Sequence, residues 1–296
     1  MAKVSSKPKS EYAIQTVTNA LRMLEVFHTE PEMGVSELAR ELGLHKNNAF
    51  RLLATLELAG YIQQTPSTEL YHLGPRCLEL GHAFARSHTL MSLARPILEN
   101  LVREVGETAH LGVMAGREVV HLDGVLPDQL VLTGTRVGVR LGTHCTAIGK
   151  ALLAGEIANN GLLSAGRVLK RRGVESGEGS GEAETTLGVG VSQAFEAEFP
   201  DGKLERYTDA TLIDPVKLMD DLRVTQVRGY ATDLEEFAVG LRCVAAPVRD
   251  ASARVIAALS LSGPSSRLGE ETLHGAVADA ISAAASRLSS ELGSPI

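Results

Sequence analysis

Residues 42–62 read LGLHKNNAFRLLATLELAGYI, and their apolar rhythm breaks once, at His45-Lys46-Asn47-Asn48, before it resumes. Phe50, Leu52, Leu53, Leu56 and Leu58 are the apolar candidates for a core-facing stripe, and Gly60 ends the helix. Amide and basic side chains at the start of such a helix either face water or face a partner. A partner that suits them carries phosphates and base edges.

The surroundings favour the second reading. Upstream, TVTNALRMLEVF places Val17, Ala20, Leu21, Leu24 and Phe27 on one helical face, with Thr16 as its expected cap. GVSELARELG supplies Ser36 as an N-cap, Glu37 in the first turn where the helix dipole favours an acid, and Gly43 as a stop. Downstream, YIQQ and LYHL flank the turn TPSTE and read as a two-stranded hairpin. Three short helices and a hairpin in about 60 residues describe a winged helix-turn-helix, whose second motif helix enters the major groove. Its groove-facing start is Lys46, Asn47, Asn48, Phe50 and Arg51, with Thr55 one turn on. The wing tip, Thr65 to Glu69, carries no basic residue, so its hold on a phosphate backbone is weak.

Charge permits this without demanding it. The 296-residue chain has a formal net charge of −7, and residues 1–75 hold seven Lys/Arg against eight Asp/Glu. Local charge decides, however. Between His45 and Leu56 lie Lys46, Arg51 and no acid, and Lys3, Lys7 and Lys9 form a basic tail over residues 1–12. A hydrophobic content of 44% suits a globular chain, and no run reaches the ~20 apolar residues of a membrane helix. Three dispersed cysteines argue for a reducing, cytoplasmic location.

Beyond Gly74 the pattern changes. PRCLELGHAFARS reads as a linker helix over 75–88, separating a DNA-binding domain at 13–74 from a second domain at 89–296. After the helix LMSLARPILENLVREV come strands at TAHLGVM, EVVHLDGV, LVLTGT, YTDATLI, GYATD, RCVAAPV and RVIAALSLSG. Helices fall at GKALLAG and LMDDLRVTQV, and a last one carries Leu273, Val277, Ile281, Leu288 and Leu292. This is an α+β class with an antiparallel sheet. Residues 173–192 are rich in Gly, Glu and Ser, with little to bury.

GVSELARELGL, FRLLATLELAGYI and YHLGPR together resemble the DNA-binding half of the IclR family of bacterial transcription regulators. Independently, ETAHLGVMAGREVVHLDGV, THCTAIGKALLA, RGYATDLEEFAVGLRCVAAPV and ALSLSGP resemble that family's effector-binding half, in order and spacing. The resemblance runs from about Ile14 to Leu292. It implies a winged helix-turn-helix joined by a linker helix to a GAF-like effector-binding domain. It also implies double-stranded operator DNA and a small organic acid as partners, a homodimer or tetramer, no cofactor and no membrane. Repression is the expected sign, with activation as the alternative. Two departures stand out. Asn47-Asn48 replace the more usual Ser-Thr, and a stretch at about 164–203 reads as an insertion.

The same resemblance maps an effector pocket onto Leu130, Thr133, Leu141, Ala147, Ile148, Asp233, Cys243, Ser260 and Ser262. Their chemistry suits an acid. Ser260 and Ser262 share one strand face, and Thr146 as an N-cap opens the amides of Ala147, Ile148 and Gly149 to an anion. Ala147-Ile148, in place of the usual Gly-Ala, narrows and dries the wall and favours a larger, partly apolar or aromatic acid. Enzyme readings compete with this. GTHCTAIGK mimics a P-loop, but its first Gly is misplaced and Ala151 stands where Ser/Thr is required. Cys243 with His144 and Asp233 is a candidate hydrolase constellation or metal set, set against a buried structural cysteine.

Overall fold

The computed structural model describes residues 12–128, 136–159, 199 and 203–295, and the chain divides into two units, 1–88 and 89–296. The basic tail, Leu130, Thr133, the expected strand LVLTGT and the Gly/Glu-rich segment lie outside the described residues.

In the first unit, α1 (Gln15–Val26), α2 (Val35–Leu42) and α3 (Lys46–Leu58) precede a hairpin of β1 (Ile62–Gln64) and β2 (Tyr71–Leu73) and then α4 (Pro75–Ser87). Met23, Phe27, Leu38, Leu42, Leu52, Leu53, Ile62 and Tyr71 form its core. The stripe on α1 is rotated from the expected one. Met23 is buried, whereas Val17 and Leu21 are exposed. Neither expected hydroxyl caps a helix. Ile14 precedes α1 with no side-chain bond, and Gly34 precedes α2, its N–H donating to Glu37 Oε2 at 2.9 Å. Gly43, at φ 66°, ends α2, and only Leu44 and His45 separate it from α3. At the far side Gly74 must be glycine. A Cβ there would lie 2.3 Å from the Gly60 carbonyl oxygen, so α4 starts hard against the end of α3.

The second unit is a six-stranded antiparallel sheet with helices on both faces. Its strands are β3 (Thr108–Ala115), β4 (Glu118–Val125), β5 (Arg140–Gly142), β6 (Ala231–Leu234), β7 (Leu241–Arg249) and β8 (Val255–Pro264), in the order β5-β4-β3-β8-β7-β6. One face presents Leu111, Val244, Ala246, Leu259 and Leu261 to α5 (Thr89–Val105) and the C-terminal helix α8 (Ala278–Glu291). A turn of π-helix over Leu273–Val277 leads into α8. The other face carries α6 (Ala147–Asn159), against which α7 (Pro215–Arg228) packs through Leu218, Met219 and Leu222. Period-two alternation therefore assigns Leu259 and Leu261 to one core and Ser260 and Ser262 to the α6 side.

One expected strand is not formed. Residues 207–213 make a turn, because the amides of Tyr207 and Thr208 donate to the Thr211 hydroxyl at 3.1 and 2.8 Å. The hydroxyls of Thr208 and Thr211 donate in turn to the carbonyls of Glu235 and Glu236. Threonine side chains here take the partners a β-ladder would use.

Candidate functional site

Two sites emerge, one in each unit. On α3, His45 stands at the N-cap without a side-chain bond, so Asn47 and Asn48 are free of capping duty. Lys46, Asn47, Asn48, Phe50, Arg51 and Thr55 are all exposed, while Ala49, Leu52 and Leu53 face the core. Thr55 Oγ1 donates back to the Arg51 carbonyl at 2.8 Å. Of the apolar candidates on this helix, Leu58 is 91% exposed, and Phe50, also placed at the groove-facing start, is 56% exposed, because the core side is set by positions 49, 52 and 53.

The second site lies between α6 and the sheet. Strand register lines up Asp233, Cys243, Ser262 and Thr108 across β6, β7, β8 and β3, with Ala245, Ser260 and His110 in the next row. Above them the first turn of α6 closes a cavity of about 20 Å³. Leu141, Ala147, Ile148, Asp233, Cys243, Ser260 and Ser262 all border it. The sequence did not single out three further bordering residues, His110, His121 and Arg136.

Local geometry explains each wall. Thr146 caps α6, its hydroxyl accepting from the Gly149 amide at 3.1 Å and donating to the Gly142 carbonyl at 3.0 Å. The first-turn amides of Ala147 and Ile148 have no carbonyl of their own helix to meet. Ile148 rests directly on Gly112 of β3, where a Cβ would fall 2.8 Å from its Cγ2. Any side chain at position 112 would push α6 off the sheet.

Burial dominates the electrostatics. Asp233 Oδ1 accepts the amides of Glu236 at 2.7 Å and Phe237 at 3.4 Å, while its Oδ2 takes no N–H or O–H bond from the described residues. Burial, and then the neighbouring Glu236 carboxylate, lift its pKa from 3.8 to about 7. Burial also pushes His121 down to about 4, helped by the charge of Arg136, and its ring stands edge-on to His110 with centroids 5.2 Å apart. Both imidazoles therefore face the cavity as polar groups, and His121 is neutral at neutral pH. Arg136 brings the positive charge, its guanidinium stacked 4.6 Å from the centroid of the Phe237 ring.

The competing constellation does not assemble. His144 Nε2 is paired at 2.8 Å with the carbonyl oxygen of Glu205 and does not border the cavity. Burial drives the Cys243 thiol upward, the opposite of what a nucleophile or thiolate ligand needs. Among the described residues no three His, Cys, Asp or Glu side chains form a metal-ligand group.

Residues 16–66 match the IclR helix-turn-helix domain, and residues 82–160 and 186–290 match the C-terminal domain of bacterial IclR transcriptional regulators. The chain belongs to the IclR family. It is 36% identical over 263 residues to the HTH-type transcriptional regulator XynR of Escherichia coli (strain K12), spanning 88% of this chain and 90% of that one. It is 31% identical to the transcriptional repressor IclR of the same organism, over 87% and 83% of the two chains. Among solved structures, a putative transcriptional regulator from Rhodococcus sp. RHA1 superposes with a TM-score of 0.72 at 25% identity, covering 95% of this chain and 98% of that one. An IclR homologue of Microbacterium hydrocarbonoxydans, complexed with 4-hydroxybenzoate, shares the fold with a TM-score of 0.70 at 22% identity, over 94% and 98%. This IclR-family member is thus a DNA-binding transcriptional regulator with repressors among its relatives. The match to the family's C-terminal domain is interrupted between residues 160 and 186.

Proposed function

We propose that this regulator represses transcription by reading operator DNA through α3 and is controlled by a small organic acid held beneath α6. The observation that carries the sensing half is the cavity. A cation (Arg136), two hydroxyls (Ser260, Ser262) and first-turn amides face apolar walls from Leu141, Ala147 and Ile148, with Asp233 at the β6 end. Those donors fit a carboxylate, the walls fit an apolar or aromatic body, and Asp233 fits a hydroxyl on that body. The Microbacterium homologue's 4-hydroxybenzoate has that chemistry. At about 20 Å³ the cavity has room for about one water. Acid binding therefore requires its walls to part, and the Arg136 side chain, laid on the Phe237 ring, is a wall that can shift.

The reading half rests on α3. Arg51→Ala and Asn48→Ala will each weaken operator binding by about 1–3 kcal/mol where a base contact is lost. Affinity for operator and for scrambled duplex at one salt concentration measures this. Unchanged operator affinity in both variants removes α3 as the reader.

For the sensor, a thermal-shift screen of aliphatic and aromatic acids identifies the ligand, and calorimetry follows it. Ser262→Ala and Arg136→Gln will each lower its affinity about ten- to a hundredfold, the scale of a hydrogen bond to a charged group. DNA binding without ligand will survive. Variants that bind the acid like the wild type place the sensor elsewhere.

The reading takes the protein as a regulator and not an enzyme, supported by burial that lifts the thiols of both Cys145, to about 12, and Cys243, and by the pairing of His144 with the Glu205 carbonyl. It includes a cytoplasmic homo-oligomer. Among the described residues no helix is long and apolar enough to cross a membrane. Exposed Ile14 just before α1 with Val17 and Leu21 on it, and Leu78, Leu80 and Phe84 on α4, supply apolar seams for a second copy. A two-fold dimer matches a palindromic operator.

A further inference from the structure

Phe50 stands where the fold has no use for it. The core side of α3 is occupied by Ala49, Leu52 and Leu53, and Phe50 remains 56% exposed on the outward side. Its neighbours on that surface are Asn47, one turn earlier, and Arg51 beside it, both exposed. No acid occurs between His45 and Leu56. Phe50 also borders a groove of about 400 Å³ whose other walls include Thr16 and Asn19 of α1 and Thr55 of α3. An apolar protein segment laid on this surface would strand the amide, hydroxyl and guanidinium groups without partners. A duplex offers those groups acceptors, and it offers one apolar group on a major-groove edge, the 5-methyl of thymine.

We propose that Phe50 is a specificity-determining residue that reads thymine by packing against its 5-methyl group. The inference rests on the reading of α3 as the groove-entering helix and adds the base that this side chain selects. The spacing fits. Three residues of helix advance about 4.5 Å, between one and two base-pair steps of about 3.4 Å, so the thymine lies within two pairs of the one that Asn47 addresses. Leu58, also exposed, sits about 18 Å from Lys46 along the helix, at the end away from the reading edge.

The test uses the full-length protein and two random duplex pools, one made with thymine and one with deoxyuridine in its place. Wild-type protein will enrich a motif with a fixed A·T pair from the thymine pool, and that position will lose its preference in the uracil pool. In the selected duplex, exchanging that one thymine for uracil will weaken wild-type binding about fourfold, the value of one buried methyl. Phe50→Ala will keep its melting temperature, bind more weakly and no longer distinguish thymine from uracil there. Two results overturn the proposal: equal wild-type affinity for thymine and uracil at every position, or full discrimination retained by Phe50→Ala. Enrichment of no motif from either pool would defeat the reading of α3 itself, and the proposal with it.

Discussion

Lys150→Met will cost the second unit about 3–5 kcal/mol, the scale for removing one partner of a buried ion pair. Lys150 is 1% exposed on α6, with Nζ 2.5 Å from Glu236 Oε1 and 3.0 Å from Asp221 Oδ2. Burial works against its charge, yet Glu236 and Asp221 outweigh it and hold the ammonium above the usual lysine value. Methionine keeps much of the volume but strands two carboxylates, one almost fully buried. Denaturant unfolding of the full chain will show the loss. Because the damage is unpaired negative charge, acid will relieve it. Burial already holds the Glu236 carboxyl above its usual value with the ammonium in place, and removing that ammonium raises it further, so the deficit will shrink as pH falls through this raised value. A deficit independent of pH would mean that methionine's shape, not charge, is at fault.

Asp233→Asn will do the reverse as pH rises. The folded state raises this carboxyl from 3.8 to about 7, so the folded protein holds a proton that the unfolded chain releases. The stability from that proton is fully present below about pH 4 and is lost as pH rises through about 7. Asparagine keeps an oxygen for the Glu236 amide and never ionises. Between pH 4 and 8 the variant will therefore gain on the wild type by up to about 4 kcal/mol, three pKa units at 1.36 kcal/mol each. Urea titrations of both proteins across that range measure it. A constant difference would show that Asp233 titrates normally.

Much of this was legible in the residues. The alternation in SLS assigned Ser260 and Ser262 to one face and the leucines to the other, and the sheet bears this out. The HTH signature, with Gly43 between two amphipathic stretches, located α2 and α3 within a residue or two. What stayed hidden depends on register and long-range pairing. His110 reads as one polar residue in an apolar strand, and only its row beside Ser260 brings it to the cavity. Arg136 sits in a glycine-containing loop with no periodicity to aim it. Lys150 in GKALL looks like a lysine for solvent. Its burial is decided by Glu236, 86 residues on. On α1 and α3, apolar content was counted correctly but phased wrongly. Val17, Leu21 and Leu58 point outward because Met23 and Ala49 set the inward direction.

Control of the grip of α3 on DNA by a small acid beneath α6, as proposed, has a direct consequence for operator binding. Fluorescence anisotropy on labelled DNA from upstream of the protein's own gene tests it most directly, at fixed salt, with and without a panel of aliphatic and aromatic acids. Wild-type protein will prefer this DNA to scrambled duplex, and at least one acid will shift its Kd tenfold or more. Arg136→Gln will bind DNA normally and lose that shift. Equal affinity for both duplexes, a Kd that no acid moves, or a shift that survives in Arg136→Gln would contradict this reading.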